Sequence, residues 1–516
     1  MVQWTKEQRK VIELRDRNLL VSAAAGSGKT ATLVERIIER ISKGVSPCNI
    51  DELLVVTFTK AAASEMKERI GNAIEKLLLI EPSNTHLQQQ QSLLHNAQIM
   101  TIDSFCLFVI RNYFHCIDLD PSFRIADEAE LTLLKSDVMS EVLEEEYEQE
   151  NEDFLEFVEC YSGARTDEVL GEYVRRLFEF SMSYPWQKDW FRQAAAAFDA
   201  ESIEELEKMP WMKELFSYLI MVLTDIKQIN ERARTICLEP NGPWMYEEAL
   251  ALDGILLQRL LEKNTYTELF EEMKALSFSV LSRKKDEGVL LEKREQVKAM
   301  RDLIKEQLLD IKKKFFFQEP EEMLEDLKQA SSSVKVLIRL TEKFSERFSK
   351  CKEEKNILDF GDMEHFALKI LTEQKEGKAV PTAAARELSI QYKEILIDEY
   401  QDSNLVQETI LNSISRILDK QPNIFMVGDV KQSIYKFRLA RPELFMEKYD
   451  SYTTKDSQYQ KIDLHNNFRS RGQVLFGINR IFERIMQKNF GGIEYNEEAA
   501  LHLGASYPSS EQLQEK

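Results

Sequence analysis

Residues 19–30, Leu-Leu-Val-Ser-Ala-Ala-Ala-Gly-Ser-Gly-Lys-Thr, constrain the fold more than any other stretch of the chain. An apolar run reads as a buried strand; it passes into a loop of small residues, and a helical pattern follows from about Ala31. Small side chains let successive backbone N–H groups converge on phosphate oxygens, and the helix N-terminus adds its partial positive charge. Ser22, Ala23, Ala24, Ala25, Gly26, Ser27 and Gly28 therefore form a cradle for a triphosphate, with Lys29 reaching the β and γ phosphates and Thr30 offering its hydroxyl to Mg²⁺. Ala23 stands where the pattern G-x-x-x-x-G-K-[ST] has its first glycine.

Such a loop needs a carboxylate on a nearby strand to hold the metal and orient water. The run Glu394–Ile397 followed by Asp398 and Glu399 supplies it, with Asp398 expected on Mg²⁺ and Glu399 expected to take the proton of the attacking water. Lys29 and Asp398 are 369 residues apart, so the nucleotide domain must be discontinuous. Between Trp244 and Phe360 there are one proline and two glycines, and apolar residues recur at helical spacing, as at Val334, Leu337, Ile338 and Leu340. Further short apolar runs, at 18–21, 53–58 and 423–427, each end in a motif. The expected fold is α/β, a parallel P-loop sheet interrupted by a large helical insertion.

The 516 residues carry a net charge of -21, which on its own argues against a phosphate-rich partner. The charge is uneven. Residues 127–159 hold 14 acidic side chains against Lys135 alone, whereas residues 1–115 hold 14 Lys or Arg against 12 Asp or Glu. The acidic run reads as a solvated helical face or a loop inside the insertion. The six cysteines include no CxxC pair, which gives no support to zinc, iron-sulfur or disulfide readings. The longest near-apolar run, 215–223, is far short of the ~20 residues of a membrane span, so no membrane is expected and a reducing cytoplasm is the default.

Three more stretches bear on what the triphosphate would drive. Phe58, Thr59 and Lys60 follow the strand at 53–58, at the position where open α/β sheets bind ligands. Gly428 to Arg438 repeats this after the strand at 423–427: Gln432 can sense a γ-phosphate, and Tyr435 and Phe437 alternate with Lys436 and Arg438. Aromatics interleaved with cations suit single-stranded DNA, because any base stacks on them for roughly 1–3 kcal/mol while the cations meet phosphates. The segment 464–471, Leu-His-Asn-Asn-Phe-Arg-Ser-Arg, carries Arg469, a candidate for a γ-phosphate.

Taken in order, Thr5-Lys6-Glu7-Gln8, AAAGSGKT, TFTKAAASEM, TIDSF at 101–105, IDEYQD, GDVKQSIYKFR and NNFRS resemble superfamily 1A helicases of the UvrD/PcrA/RecB type. Within that group GDVKQSIYKFRLARPELF, IDEYQDSNLVQETIL and EYNEEAALHLGASYP resemble the AddA (RexA) subunits of bacterial ATP-dependent helicase/nucleases. The resemblance implies RecA-like domains: the first at 1–115 and 356–445, a helical subdomain at 116–355, and a truncated second one from 446 to 516. It implies that Gln8 reads adenine, that Phe468 stacks on it, that Gln432 and Arg469 meet the γ-phosphate, and that Phe58, Ser104, Tyr435 and Phe437 touch single-stranded DNA. Asp103 and Ala31 depart from relatives that use His and an adenine-stacking Arg.

The implied function is ATP-dependent 3′ to 5′ DNA unwinding in a heterodimer with AddB (RexB), acting on single- and double-stranded DNA at breaks. Only 71 residues follow Phe445, so the chain is expected to be the N-terminal part of a longer protein without its nuclease domain. The alternatives are a non-catalytic module binding ATP and single-stranded DNA, and a P-loop ATPase acting on protein.

Overall fold

The computed structural model describes residues 4–43, 47–163, 166–488 and 493–507. Six strands, β1 (Asn18–Ala23), β2 (Leu53–Thr57), β3 (Gln98–Thr101), β4 (Glu394–Ile397), β5 (Ile424–Gly428) and β6 (Tyr459–Leu464), form one sheet in the order β6-β1-β5-β4-β2-β3, and every pairing is parallel. The period of two along β1 and β2 explains why both faces are covered. Leu19, Val21, Leu53 and Val55 enter a core with Leu33 and Ile37, while Leu20, Leu54 and Val56 enter another with Phe105, Val109 and Ile410. Each fully buried Leu or Val contributes about 1.5–3 kcal/mol. β1 and β4 therefore come into one sheet although most of the chain separates them.

Helices are capped ahead of β1 and just beyond β1, β2 and β3. Thr5 and Gln8 form a capping box on α1 (Lys6–Glu13), Gly28 in the left-handed region caps α2 (Lys29–Ser42), and Thr59 caps α3 (Lys60–Ile80). Thr101 caps the helix Ile102–Tyr113 in the same way. The buried Arg36 guanidinium ties α2 to the start of β4 through Glu394 and donates to the carbonyl of Val11.

The chain divides into two compact units. The first comprises 1–142, 175–187 and 343–516, and it contains the sheet; the second comprises 143–174 and 188–342. The second unit is narrower than the expected 116–355. Part of the reason is that Phe178 packs edge-on against Phe344 and Phe348, at 5.3 and 5.9 Å, within the first unit. The sheet also reaches past the expected limit near 446, because β6 pairs with β1 along its full length. β6 is an edge strand whose Gln460, Ile462 and Leu464 are buried and whose alternate residues are not, a pattern weaker in sequence than that of the central strands.

The second unit, taken alone, is helical. Pro210–Leu238, Glu247–Leu261 and Leu291–Phe315 enclose Leu219, Leu223, Ile226, Leu257, Leu260, Ile304 and Leu308. Arg301 is buried among them, bridged to Asp253 at 2.6 Å and donating to the Ser279 carbonyl at 2.7 Å. The acidic run, of which 127–142 belong to the first unit, is mainly exposed, although Glu146 in the second is fully buried against Arg339. Among the described residues no helix is long and apolar enough to cross a membrane.

Candidate nucleotide site and nucleic-acid interface

Parallel strands deliver their carboxyl ends to one edge of the sheet, and every motif singled out on the α/β part of the chain follows one of those ends or, for Gln8, packs against it. Ser22 and Ala23 end β1, Asp398 and Glu399 follow β4, Gln432 follows β5, and Phe468 and Arg469 follow β6. Phe58 follows β2 and Ser104 follows β3. This is the edge at which open α/β sheets bind ligands.

The loop Ala24–Gly28 turns back at Gly26 and Gly28, whose φ values are +71° and +85°. Gly26 is also crowded, because a Cβ there would lie 2.7 Å from Asn467 Nδ2 and 2.9 Å from Arg469 Cβ. The segment after β6 is fastened to this loop. Asn467 Nδ2 donates to the Ala25 carbonyl at 2.6 Å and the Phe468 N–H donates to the Gly26 carbonyl at 2.8 Å. Asn467 Oδ1 accepts from the N–H groups of Arg469 and Ser470, both at 2.8 Å, which sets the Arg469 backbone beside the loop while its side chain is exposed.

The Lys29 ammonium lies 3.0 Å from Glu399 Oε2. Glu399 itself occupies the left-handed region at φ +50°, a strained placement for a non-glycine residue and one that recurs at functional sites. Its carboxylate also accepts from Gln401 Nε2 at 2.9 Å. Burial, with the Glu399 charge beside it, pushes the Asp398 carboxyl up to about 6, while Lys29 pulls it down. Thr30, the second residue of α2, lies on the same loop edge. The hydroxyl of Thr30 and the carboxylate of Asp398 are hard oxygen donors, the kind Mg²⁺ takes from protein in ones and twos. The buried Ser27 hydroxyl has no hydrogen-bond partner among the described residues.

Gln8 is buried, and its amide is already oriented. Oε1 accepts from the Thr5 N–H at 3.0 Å, Nε2 donates to the Ser27 carbonyl at 3.0 Å, and one Nε2 hydrogen remains. Gln8 and Phe468 line one cavity of about 150 Å³, together with Ser27, His465 and His502. Gln432 Nε2 donates to Asp429 Oδ2 at 2.7 Å, and Asp429 also pairs with Lys431 at 3.0 Å.

Three residues not marked by sequence hold this arrangement. Gln401 is 1% exposed and joins two motifs: it donates to Glu399 and accepts from the Asp429 N–H at 2.9 Å. A Cβ on Gly428 would run into its amide. Asp429 orients Gln432, and Asn467 fastens the 466–470 turn. Their only sequence signal is membership in the quoted motifs, since Gln401 and Asn467 act through contacts with distant segments and Asp429 through a turn that sequence does not mark.

The other half of the edge carries the aromatics. The rings of Phe58 and Tyr435 stack with centroids 4.5 Å apart, and Phe437 follows Tyr435 at 5.9 Å. Arg438 lies over both, 5.2 Å from the Tyr435 ring and 5.6 Å from that of Phe437. Phe437 is 75% exposed, with Lys60, Lys436 and Arg438 exposed around the cluster. Thr59 and Ser104 are tied up locally, Thr59 capping α3 and Ser104 bonded to the Thr101 hydroxyl at 2.9 Å. Burial raises the carboxyl of Asp103 and the Lys60 charge lowers it.

Residues 4–453 match the model of the UvrD/REP helicase N-terminal domain. A protein of Lachnoclostridium phytofermentans, described as the A-type component of an ATP-dependent helicase/nuclease, is 54% identical over 510 residues, covering 98% of this chain and 37% of that relative. Proteins of the same description from Clostridium botulinum and Acetivibrio thermocellus are each 44% identical, covering 99% and 98% of this chain and 41% of themselves. The chain thus spans about two fifths of the length of these relatives. With its P-loop, Asp-Glu pair and aromatic strand ends on one parallel sheet edge, this chain belongs to the UvrD/REP helicase family.

Proposed function

We propose that the chain is the N-terminal motor part of an ATP-dependent DNA helicase that moves 3′ to 5′ and, with an AddB-type partner and a nuclease elsewhere in the assembly, processes double-strand breaks in the cytoplasm. The observation that carries this reading is the shared edge. Lys29, Asp398 and Glu399 follow strands adjacent to β5 and β2, whose ends carry Gln432 with the Tyr435 stack and Phe58, so a change in phosphate contacts has a short path to the aromatics.

In this reading Ser22 to Thr30 hold the triphosphate, Gln8 and Phe468 hold the base, and Thr30 and Asp398 hold Mg²⁺. Bound Mg²⁺ supplies charge neutralisation on the phosphates. Glu399 orients water and takes its proton, and Lys29 must leave Glu399 to reach phosphate, which frees that carboxylate when nucleotide arrives. Gln432 reports the γ-phosphate to the turn bearing Tyr435, and Arg469 adds a cation from the 466–470 turn. Phe58, Thr59, Lys60, Ser104, Tyr435, Phe437 and Arg438 face single-stranded DNA. The first RecA-like domain then runs through β6, and a second begins after it.

The resemblance to helicase/nuclease components supports the DNA substrate and the partner. The test is strand displacement by the full-length protein with its partner on duplexes bearing a 3′ or a 5′ single-stranded extension. Displacement dependent on ATP and on the 3′ extension is expected; equal use of both ends, or none, contradicts the reading.

A further inference from the structure

Phe468 is held on three sides. Its N–H is bonded to the Gly26 carbonyl at 2.8 Å, its carbonyl accepts from the Tyr507 hydroxyl at 3.1 Å, and a short strand, β8 (His502–Leu503), pairs in parallel with β7 (Asn466–Asn467) just ahead of it. The Gly504 N–H extends that pairing by donating to the Asn467 carbonyl at 2.9 Å. This brings the backbone of Gly504 against the Phe468 ring. A Cβ on residue 504 would lie 2.8 and 2.9 Å from two ring carbons and 3.1 Å from Asn466 Cβ. Gly504 is not among the residues of positive φ, so glycine is required there for space and not for backbone conformation.

Gly26, in the nucleotide loop, needs glycine on both counts. The two glycines bracket the 466–470 turn from its two sides, Gly26 beneath Asn467 and Gly504 beside the ring. Phe468 shares its cavity with Gln8, so the ring is offered to that cavity while Gly504 closes against it from the other strand. Ala31, near the start of α2, has no side chain that could stack on a base, which leaves the Phe468 ring as the stacking surface of this cavity.

We infer that Gly504 is a positioning residue for nucleotide binding: its missing side chain sets the Phe468 ring where a base stacks, with the Tyr507 hydroxyl securing the same turn. The inference rests on the proposed nucleotide site and adds a residue outside the phosphate loop to it.

The test is equilibrium binding of ATP and of inorganic tripolyphosphate, each with Mg²⁺, to the whole chain and to Gly504→Ala, Phe468→Ala and the double variant. Gly504→Ala is expected to weaken ATP about tenfold and leave tripolyphosphate unchanged. It is expected to add less than twofold once Phe468 is alanine, because a residue that acts only through the ring has nothing left to move. Tyr507→Phe gives the same split with a smaller loss and serves if Gly504→Ala does not fold. Equal losses for ATP and tripolyphosphate, additive losses in the double variant, or no loss in either Gly504→Ala or Tyr507→Phe overturn the inference. Failure of the unaltered chain to bind either ligand overturns the nucleotide site itself.

Discussion

The Lys29 ammonium and the Glu399 carboxylate stand 3.0 Å apart although 370 residues of chain separate them. Their side chains are 13% and 34% exposed. Water reaches Glu399 and screens the pair in part, so it is expected to contribute only about 1 kcal/mol to stability, and the proposed role of Glu399 is chemical. Glu399→Gln is expected to leave the thermal unfolding midpoint within about 2 °C of the unaltered chain. The same change is expected to slow single-turnover ATP hydrolysis about 10²- to 10⁴-fold, the usual contribution of a positioned general base. Calorimetry and rapid-quench hydrolysis on one preparation check both halves.

Gly26 combines a positive φ with a neighbour that leaves no room for a side chain. Gly26→Ala is expected to cost about 1–2 kcal/mol from the left-handed backbone alone, to displace Asn467 and to weaken ATP binding at least tenfold. Denaturant unfolding and nucleotide titration check this. Gly377, also at positive φ but with nothing within 4 Å of its would-be Cβ, is the control: alanine there should carry only the backbone cost.

Stability should depend on pH through Glu364. Its carboxylate accepts from Gln407 Nε2 at 2.7 Å and from Asn404 Nδ2 at 3.1 Å, yet burial outweighs these bonds and pushes it up to about 7. An acid raised on folding binds its proton more tightly in the folded state. Its contribution is fully present below the ordinary value near 4.5 and is lost as pH rises through about 7. The unfolding midpoint is expected to fall between pH 5 and pH 8 on this account, and to fall less in Glu364→Gln, measured by thermal scans across that interval.

Phe437 and Arg438 should separate stacking from charge. Phe437→Ala, at an exposed position, is expected to weaken single-stranded DNA binding roughly 5- to 150-fold, from ~1–3 kcal/mol of stacking, without changing the salt dependence. Arg438→Ala is expected to lower the slope of log affinity against log salt by about 0.7, and also to loosen the rings it covers. Fluorescence anisotropy at several salt concentrations reads both quantities.

The sheet and the strand ends that carry the candidate site residues are largely legible in sequence because their signals are local. An apolar run ending in Gly-Ser-Gly-Lys-Thr, and another ending in Asp-Glu, each announce a strand and a strand end. β6 was hidden because an edge strand needs only one buried face, and Tyr459, Lys461 and Asp463 dilute its pattern. Gln401, Asn467 and Gly504 carry no signal beyond lying in the quoted motifs: each touches an atom brought from a distant segment, the Asp429 N–H, the Ala25 carbonyl and the Phe468 ring. The bounds of the compact helical unit depend on packing that periodicity does not reveal, since 175–187 pack with the first unit.

The central claim is that one sheet edge joins nucleotide chemistry to DNA contact. Steady-state ATP hydrolysis by this chain, with and without single-stranded DNA and beside Lys29→Ala, tests it most directly. Turnover stimulated by DNA and abolished in Lys29→Ala is the expected result. Nucleotide and DNA binding without turnover, or turnover indifferent to DNA, would contradict it.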